Sequence, residues 1–189
     1  MNIIKKDWAE YRKTILVLTA ALLVPMIFTR GNTTDFSKGM MAGTLVGAAY
    51  GYAYFCFSTE RLRGTLQLLQ SLPVRPFDLA MAKYASLYSM ALFTANIPGL
   101  FLRDIHLLFI LNGCILFLST VSMACTVVSD KPWAPLAPMW AVLVLFTPAG
   151  KLGLFTTIAT HASLFAAVGL LLVPVIAVSS SVHFARQSA

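Results

Sequence analysis

A chain of 189 residues that is 58% hydrophobic and 11% charged, with a mean hydropathy of +0.79, is not an ordinary soluble domain, where about a quarter of residues carry charge. It has room for about six membrane spans of about 20 residues each, joined by short loops, and none for a separate soluble domain. The net charge of +7 gathers at the ends of apolar runs, so it reads as membrane topology and not as nucleic-acid binding, for which no recognition module is present.

Residues 3–13 carry Lys5, Lys6, Asp7, Trp8, Glu10, Tyr11, Arg12 and Lys13. This pattern predicts an interfacial helix, with Trp8 and Tyr11 at headgroup level and the lysines facing lipid phosphates. The apolar run after it, 14–29, is the first span. No small-residue cleavage site succeeds that run, so it does not read as a removed signal peptide. A short polar loop covers 31–38; its Asn32-Thr33-Thr34 matches a glycosylation sequon and carries no functional weight.

The second span is expected at 39–58. Gly39, Gly43, Gly47 and Gly51 recur every fourth residue, a strip against which another helix can approach closely. Tyr50, Tyr54 and Phe57 fall at i, i+4 and i+7 on another face and are candidates for lining a transport path. The segment 59–78 is polar-rich. Within it Thr65, Leu68, Leu69 and Leu72 share one face of a short amphipathic helix that Thr65 caps and Pro73 ends. Such a helix between two spans lies on the membrane surface or docks into a partner's groove.

The third span is expected at 79–102, with Asp78 as its N-cap and a bend near Asn96 and Pro98. The fourth covers 106–128. The fifth, 133–148, holds Pro135, Pro138 and Pro148 and is expected to be bent or broken. Residues 149–160 are too polar and too short to span and read as a re-entrant or interfacial segment. The sixth span is 161–183, kinked at Pro174. With a cytoplasmic N-terminus, ten basic residues lie inside (Lys5, Lys6, Arg12, Lys13, Arg61, Arg63, Arg75, Lys83, Lys131, Arg186) and four outside (Arg30, Lys38, Arg103, Lys151). Both termini and the 59–78 segment are therefore expected to face the cytoplasm.

Catalytic and cofactor motifs are missing from the sequence. There is no GxxxxGK[ST], HExxH or GxSxG, and His106, His161 and His183 are isolated from one another. Cys56, Cys114 and Cys125 lie in apolar runs without a CxxC and read as small buried apolar residues, not as a disulfide framework or metal site. The spans read as almost free of acids and bases, whereas an ion-driven carrier usually keeps an ionisable residue at depth. Together these features predict a membrane subunit, not itself an enzyme, driven by a separate motor.

Glu60, Gly64-Thr65-Leu66, Leu68-Leu69 and Ser71-Leu72-Pro73-Val74-Arg75 resemble the cytoplasmic loop of type-2 ABC transporter permeases. The six-span layout, the amphipathic N-terminal helix and the broken segment before the last span are similar too. The resemblance implies an all-α membrane protein, one permease domain over 1–189, in the bacterial cytoplasmic membrane. It implies a dimer, most simply of identical chains, that is embedded among membrane lipids and moved by cytoplasmic ABC ATP-binding subunits. ATP and magnesium would sit on those subunits, with no cofactor in this chain. Carried over residue by residue, the coupling segment comprises Glu60, Arg61, Arg63, Gly64, Thr65, Leu66, Gln67, Leu69, Gln70 and Pro73. In that set Arg61, Arg63, Gln67 and Gln70 would touch the ATPase, Gly64 would permit a sharp turn, and Glu60 would end the second span by pairing with a nearby base or capping a helix. The chain is shorter than many members and its outer loops are minimal, which leaves little for an external substrate-handling region. An apolar, aromatic-lined path would suit an amphipathic peptide, a lipid or a hydrophobic compound. The alternative is the substrate-binding membrane subunit of an energy-coupling vitamin importer, whose loops do not carry the Glu60–Arg75 pattern. An intramembrane enzyme and an assembly scaffold are more distant alternatives.

Overall fold

Between Ile3 and Val24 no glycine or proline interrupts helix formation, and the computed structural model has one continuous helix, α1, at Ile3–Thr29. The structure describes residues 3–29, 44, 46–64, 71, 74–102, 105–129, 131, 133–137 and 161–187. The separate interfacial helix expected at 3–13 is therefore the first half of α1. The reason is a stripe that runs through the expected joint: Asp7, Tyr11, Ile15 and Thr19, every fourth residue, are all buried. Trp8 is likewise docked on protein: its indole N–H donates to Ser89 Oγ (2.7 Å) and its ring meets Phe93 edge-on at 5.2 Å.

The second helix, α2, covers residues 46–62 and changes pitch part-way. It is α-helical over 46–53, passes through a π-helical turn at Tyr54–Ser58, and resumes at Thr59–Leu62. The Thr59 amide bonds to the Tyr54 carbonyl, five residues back. An inserted residue rotates the rest of the helix by about one helical step, roughly 100°. That rotation corrects the expected aromatic face. Tyr50 and Tyr54 stay together, half-buried, with ring centroids 5.8 Å apart, but Phe57 is fully buried in the core against Phe184, edge-on at 5.4 Å.

Helix α3 spans Pro76–Leu102 and α4 spans Ile105–Val128. Proline suits the first helical position because its missing N–H is not needed there. The helix thus starts at Pro76, and Asp78 lies within its first turn instead of capping it. A single 3-10 turn comes after α4 at Ala134–Leu136, and α5 spans Ala162–Gln187 with Pro174 inside it. Among the described residues every regular element is helical.

The tightest packing is between α4 and α5, which run parallel. A Cβ placed on Gly113 would stand 2.5 Å from Ala166 Cβ, and one on Gly169 would stand 3.0 Å from Phe117 Cβ. Small residues here let two backbones approach as in membrane helix pairs. The glycine strip expected on the second span does not do this where it is described. A Cβ on Gly47 would meet nothing within 4 Å, and one on Gly51 would make an ordinary 3.5 Å contact with Leu18. Gly39 and Gly43 lie outside the described residues.

Hydroxyls and amides link the helices across the interior. Thr19, Thr94 and Tyr52 form a hydroxyl chain joining α1, α3 and α2, with Thr19 Oγ1 and Thr94 Oγ1 3.2 Å apart. Tyr84 and Ser180 join α3 to α5 at 2.7 Å, Thr120 donates to Tyr88 at 3.2 Å, and Asn112 donates to Asn96 at 2.8 Å. The exterior is apolar instead. Leu164, Val168, Leu171, Val175, Val178 and Val182 are all exposed along α5. Two segments, Leu108–Val128 and Ala162–Gln187, are long and apolar enough to cross a membrane. Only 22% of the second is buried, whereas the core helix of a soluble protein would be mostly covered. Most of the expected fifth span and the whole 149–160 segment lie outside the described residues.

Candidate functional site: a buried charge cluster at one end of the bundle

Four charged side chains from three helices meet where the N-termini of α1 and α3 lie beside the C-terminus of α2. Lys83, on the second turn of α3, has no exposed surface. Its ammonium lies 3.0 and 3.2 Å from the two Asp7 carboxylate oxygens and 2.8 Å from Glu60 Oε1. Asp7 is fully buried and Glu60 is 2% exposed. Lys6 also pairs with Glu60 Oε1 and lies 4.0 Å from Asp7; its side chain is 28% exposed and carries the cluster to the surface.

Two acids and two bases make the cluster neutral as a unit. That balance is what lets it be buried, because an unpaired charge in the interior costs several kcal/mol. Burial alone would lower the Lys6 pKa; the hydrogen bond and charge of Glu60, with Asp7 and Glu10 adding to it, outweigh burial and raise it. The neighbouring Tyr11 phenol is pushed up by burial and by the charges of Glu10 and Glu60, and its ring stacks on Phe55 with centroids 5.3 Å apart.

Arg61 ties the same place to the rest of the bundle. It donates to the carbonyls of Thr126 (3.1 Å) and Ser129 (2.9 Å) at the end of α4, where terminal carbonyls lack helical partners and a cation is favoured. Its guanidinium also lies 5.4 Å from the centre of the Phe57 ring, and Phe57 packs on Phe184 of α5. Among the described residues, 57–61 thus contact each of the other four helices: α1 and α3 through Glu60, α4 through Arg61, α5 through Phe57. Arg63 is different. It is 63% exposed and pairs at the surface with Glu10 at 2.9 Å.

The helix ends just beyond this node. The Arg63 amide reaches back to Thr59 (3.0 Å) and the Gly64 amide to Arg61 (3.1 Å). Gly64 has φ +71°, a conformation in which an L side chain is strained and glycine is at ease. A Cβ there would meet nothing within 4 Å, so the requirement is conformational. Thr65, Leu66, Gln67, Leu69, Gln70 and Pro73, the rest of the expected coupling segment, lie outside the described residues.

Sequence reasoning does not find this cluster: it sets Lys6 against lipid phosphates, gives Asp7 no role and counts Lys83 only as a marker of orientation, whereas the Lys6 ammonium lies on Glu60. A usable signal is present all the same. Lys83 stands alone in the apolar run from Leu79 to Leu87, and its helical neighbours at three and four residues are Leu79, Ala80, Ser86 and Leu87. A base there finds no partner on its own helix and must draw one from another. Among the described residues no three of His, Cys, Asp and Glu gather as a metal site. No protein-family model, curated protein or solved structure matches this chain.

Proposed function

We propose that this chain is the membrane-spanning subunit of an ATP-driven exporter, a six-span permease that works as a dimer and is moved by separate cytoplasmic ATP-binding subunits. The observation that carries the reading is the position of Glu60. It belongs both to the motif that resembles the coupling loop of type-2 ABC permeases and to the buried cluster with Lys6, Asp7 and Lys83. A push on the chain just beyond Gly64 would be delivered through Glu60 to α1 and α3 and through Arg61 to α4. A neutral, buried cluster transmits such a push as a rigid joint, because separating any one charge from it is costly.

The helix directions support the six-span reading. Because α4 and α5 are parallel and pack closely, Ser129 at the end of α4 and His161 before α5 sit at opposite ends of the pair. In this reading α1 and α3 run outward, α2, α4 and α5 run inward, and the remaining span is the one expected from the sequence at 133–148. ATP binding would close the paired ATPases, drive the 59–78 segments, and rock two permease copies between inward-facing and outward-facing states. An amphipathic peptide, a lipid or a hydrophobic compound is the proposed cargo.

The test is purification of the full chain from its native membrane together with any ATP-binding protein that accompanies it, followed by reconstitution of the two. A one-to-one complex is expected, with ATP-dependent transport that Gly64→Trp reduces at least ten-fold while helix content is retained. An isolated chain that binds no ATPase overturns the proposal. So does unchanged transport in both Gly64→Trp and the double charge reversal Arg61→Glu/Arg63→Glu.

A further inference from the structure

A groove of about 450 Å³ lies between the end of α4, the Ala134–Leu136 turn and α5. Val121, Ala124, Cys125, Val128, Ala137 and Ile176 line it, with Trp133 at its mouth. Its size is in the ~300–1,000 Å³ range of ligand sites, but its lining gives a polar ligand almost nothing to hold. The mouth is different in character. Trp133 is 58% exposed and Val128 51% exposed, side by side with a base. Lys131 Nζ lies 5.7 Å from the centre of the Trp133 ring. Two bases flank Ser129, with Arg61 on its carbonyl and Lys131 two residues on.

We propose that this groove holds an acyl chain of an anionic phospholipid, with the headgroup phosphate on Lys131 beside the Trp133 indole. An apolar slot below a tryptophan and a lysine matches the two halves of such a lipid: tail in the slot, indole at the interface, cation on the phosphate. The charge decides among occupants. A zwitterionic lipid also brings a phosphate to Lys131 but sets its own cation beside it, so the attraction is weaker than for a lipid with net negative charge, and an apolar protein face would bury Lys131 without a counter-charge. The proposal rests on the chain being embedded in a membrane and is independent of whether it transports anything.

The test uses the purified full chain in phosphatidylcholine vesicles doped with phosphatidylglycerol brominated on its acyl chains, which quenches nearby indoles. Trp133 emission is read as the difference between wild type and Trp133→Phe. Half-quenching is expected at about five-fold lower mole fraction of brominated phosphatidylglycerol than of brominated phosphatidylcholine, the effect of one basic residue on an anionic lipid. Lys131→Gln, a change at an exposed position, is expected to bring the two lipids within two-fold. Asp130→Asn, which removes the negative charge next to Lys131 in sequence, is expected to widen the gap. Ala124→Phe, which fills the slot, is expected to abolish the preference. Equal quenching by both lipids overturns the proposal, because the ring then only faces bulk bilayer. Absence of quenching by either also overturns it, because protein, such as a second copy of the chain, then covers the groove. A chain that fails to float with vesicles refutes the membrane reading itself, a result distinct from either.

Discussion

Lys83 and Asp7 are 76 residues apart in sequence, yet their side chains meet at 3.0 Å with no exposed surface on either. They fix the first turns of α1 against the second turn of α3, and Glu60 brings the end of α2 to the same ammonium at 2.8 Å. The relationship predicts a lopsided mutational response. Lys83→Met leaves Asp7 buried with only Lys6 nearby and is expected to destabilise the fold by about 3–5 kcal/mol. Asp7→Asn in the same chain is expected to recover part of that loss, because it removes the charge that Lys83→Met orphans. Denaturant unfolding of both single variants and the double in detergent checks this. Strictly additive losses would mean that the two groups do not interact.

Arg61 and Arg63 are two residues apart and sit in opposite environments. Arg61→Lys keeps the charge but not the planar fork that reaches the Thr126 and Ser129 carbonyls together. A loss of about 1–3 kcal/mol is expected. Arg63→Ala removes an exposed pair with Glu10, and a change of about 0–1 kcal/mol is expected. Thermal unfolding of the two variants side by side tests the contrast, and a larger loss for Arg63→Ala would reverse the assignment.

The helical class, the apolar surface of α5 and the extents of α3 and α4 are legible in hydropathy and in the turn residues between them. Two features of the site are not. A change in composition at Lys13 suggests a joint between an interfacial helix and a first span, but the helix continues because Asp7, Tyr11, Ile15 and Thr19 share one buried stripe regardless of polarity. A buried aspartate is legible only when its partner is known, and that partner lies on a distant helix. The separation of Phe57 from Tyr50 and Tyr54 has a different cause. Spacing of four and three residues assumes an uninterrupted α-helix, and the π turn at Tyr54–Ser58 inserts a residue between Tyr54 and the side chains beyond it. Likewise, glycine periodicity marks the second span as the site of close packing, while among the described glycines the one nearest a neighbouring helix, Gly113 against Ala166, carries no repeat.

That last difference separates two glycines experimentally. Gly113→Ala places a methyl 2.5 Å from Ala166 Cβ and 2.9 Å from the Ala166 carbonyl oxygen. Backbone there cannot yield as a flexible side chain would, and overpacking of this kind is expected to lower stability by about 1–3 kcal/mol. Gly47→Ala adds a methyl into open space within a helix, so the single chain is expected to be unchanged or stabilised by up to about 1 kcal/mol. Measuring unfolding at low protein concentration, and size in detergent for both, distinguishes packing within the chain from packing between copies. A monomer destabilised by Gly47→Ala would show that the second-span strip packs inside the chain after all.

Lys6, the partly exposed member of the cluster, gives it a pH dependence at the alkaline end. Its pKa is raised from the ordinary 10.5 because Glu60, backed by Asp7 and Glu10, outweighs its partial burial. For a base whose folded pKa exceeds its unfolded value, the stabilisation is complete below the unfolded pKa and disappears as pH rises through the folded one. The stability difference between wild type and Lys6→Gln is therefore expected to stay constant from neutral pH to about 10 and to shrink above that. Other lysines titrate in the same window, and taking the difference between the two proteins cancels them. Unfolding measured across pH values of roughly 8 to 12 provides the check. A difference that grew with pH would mean that burial dominates at Lys6, and that Glu60 owes its place in the core to Lys83 alone.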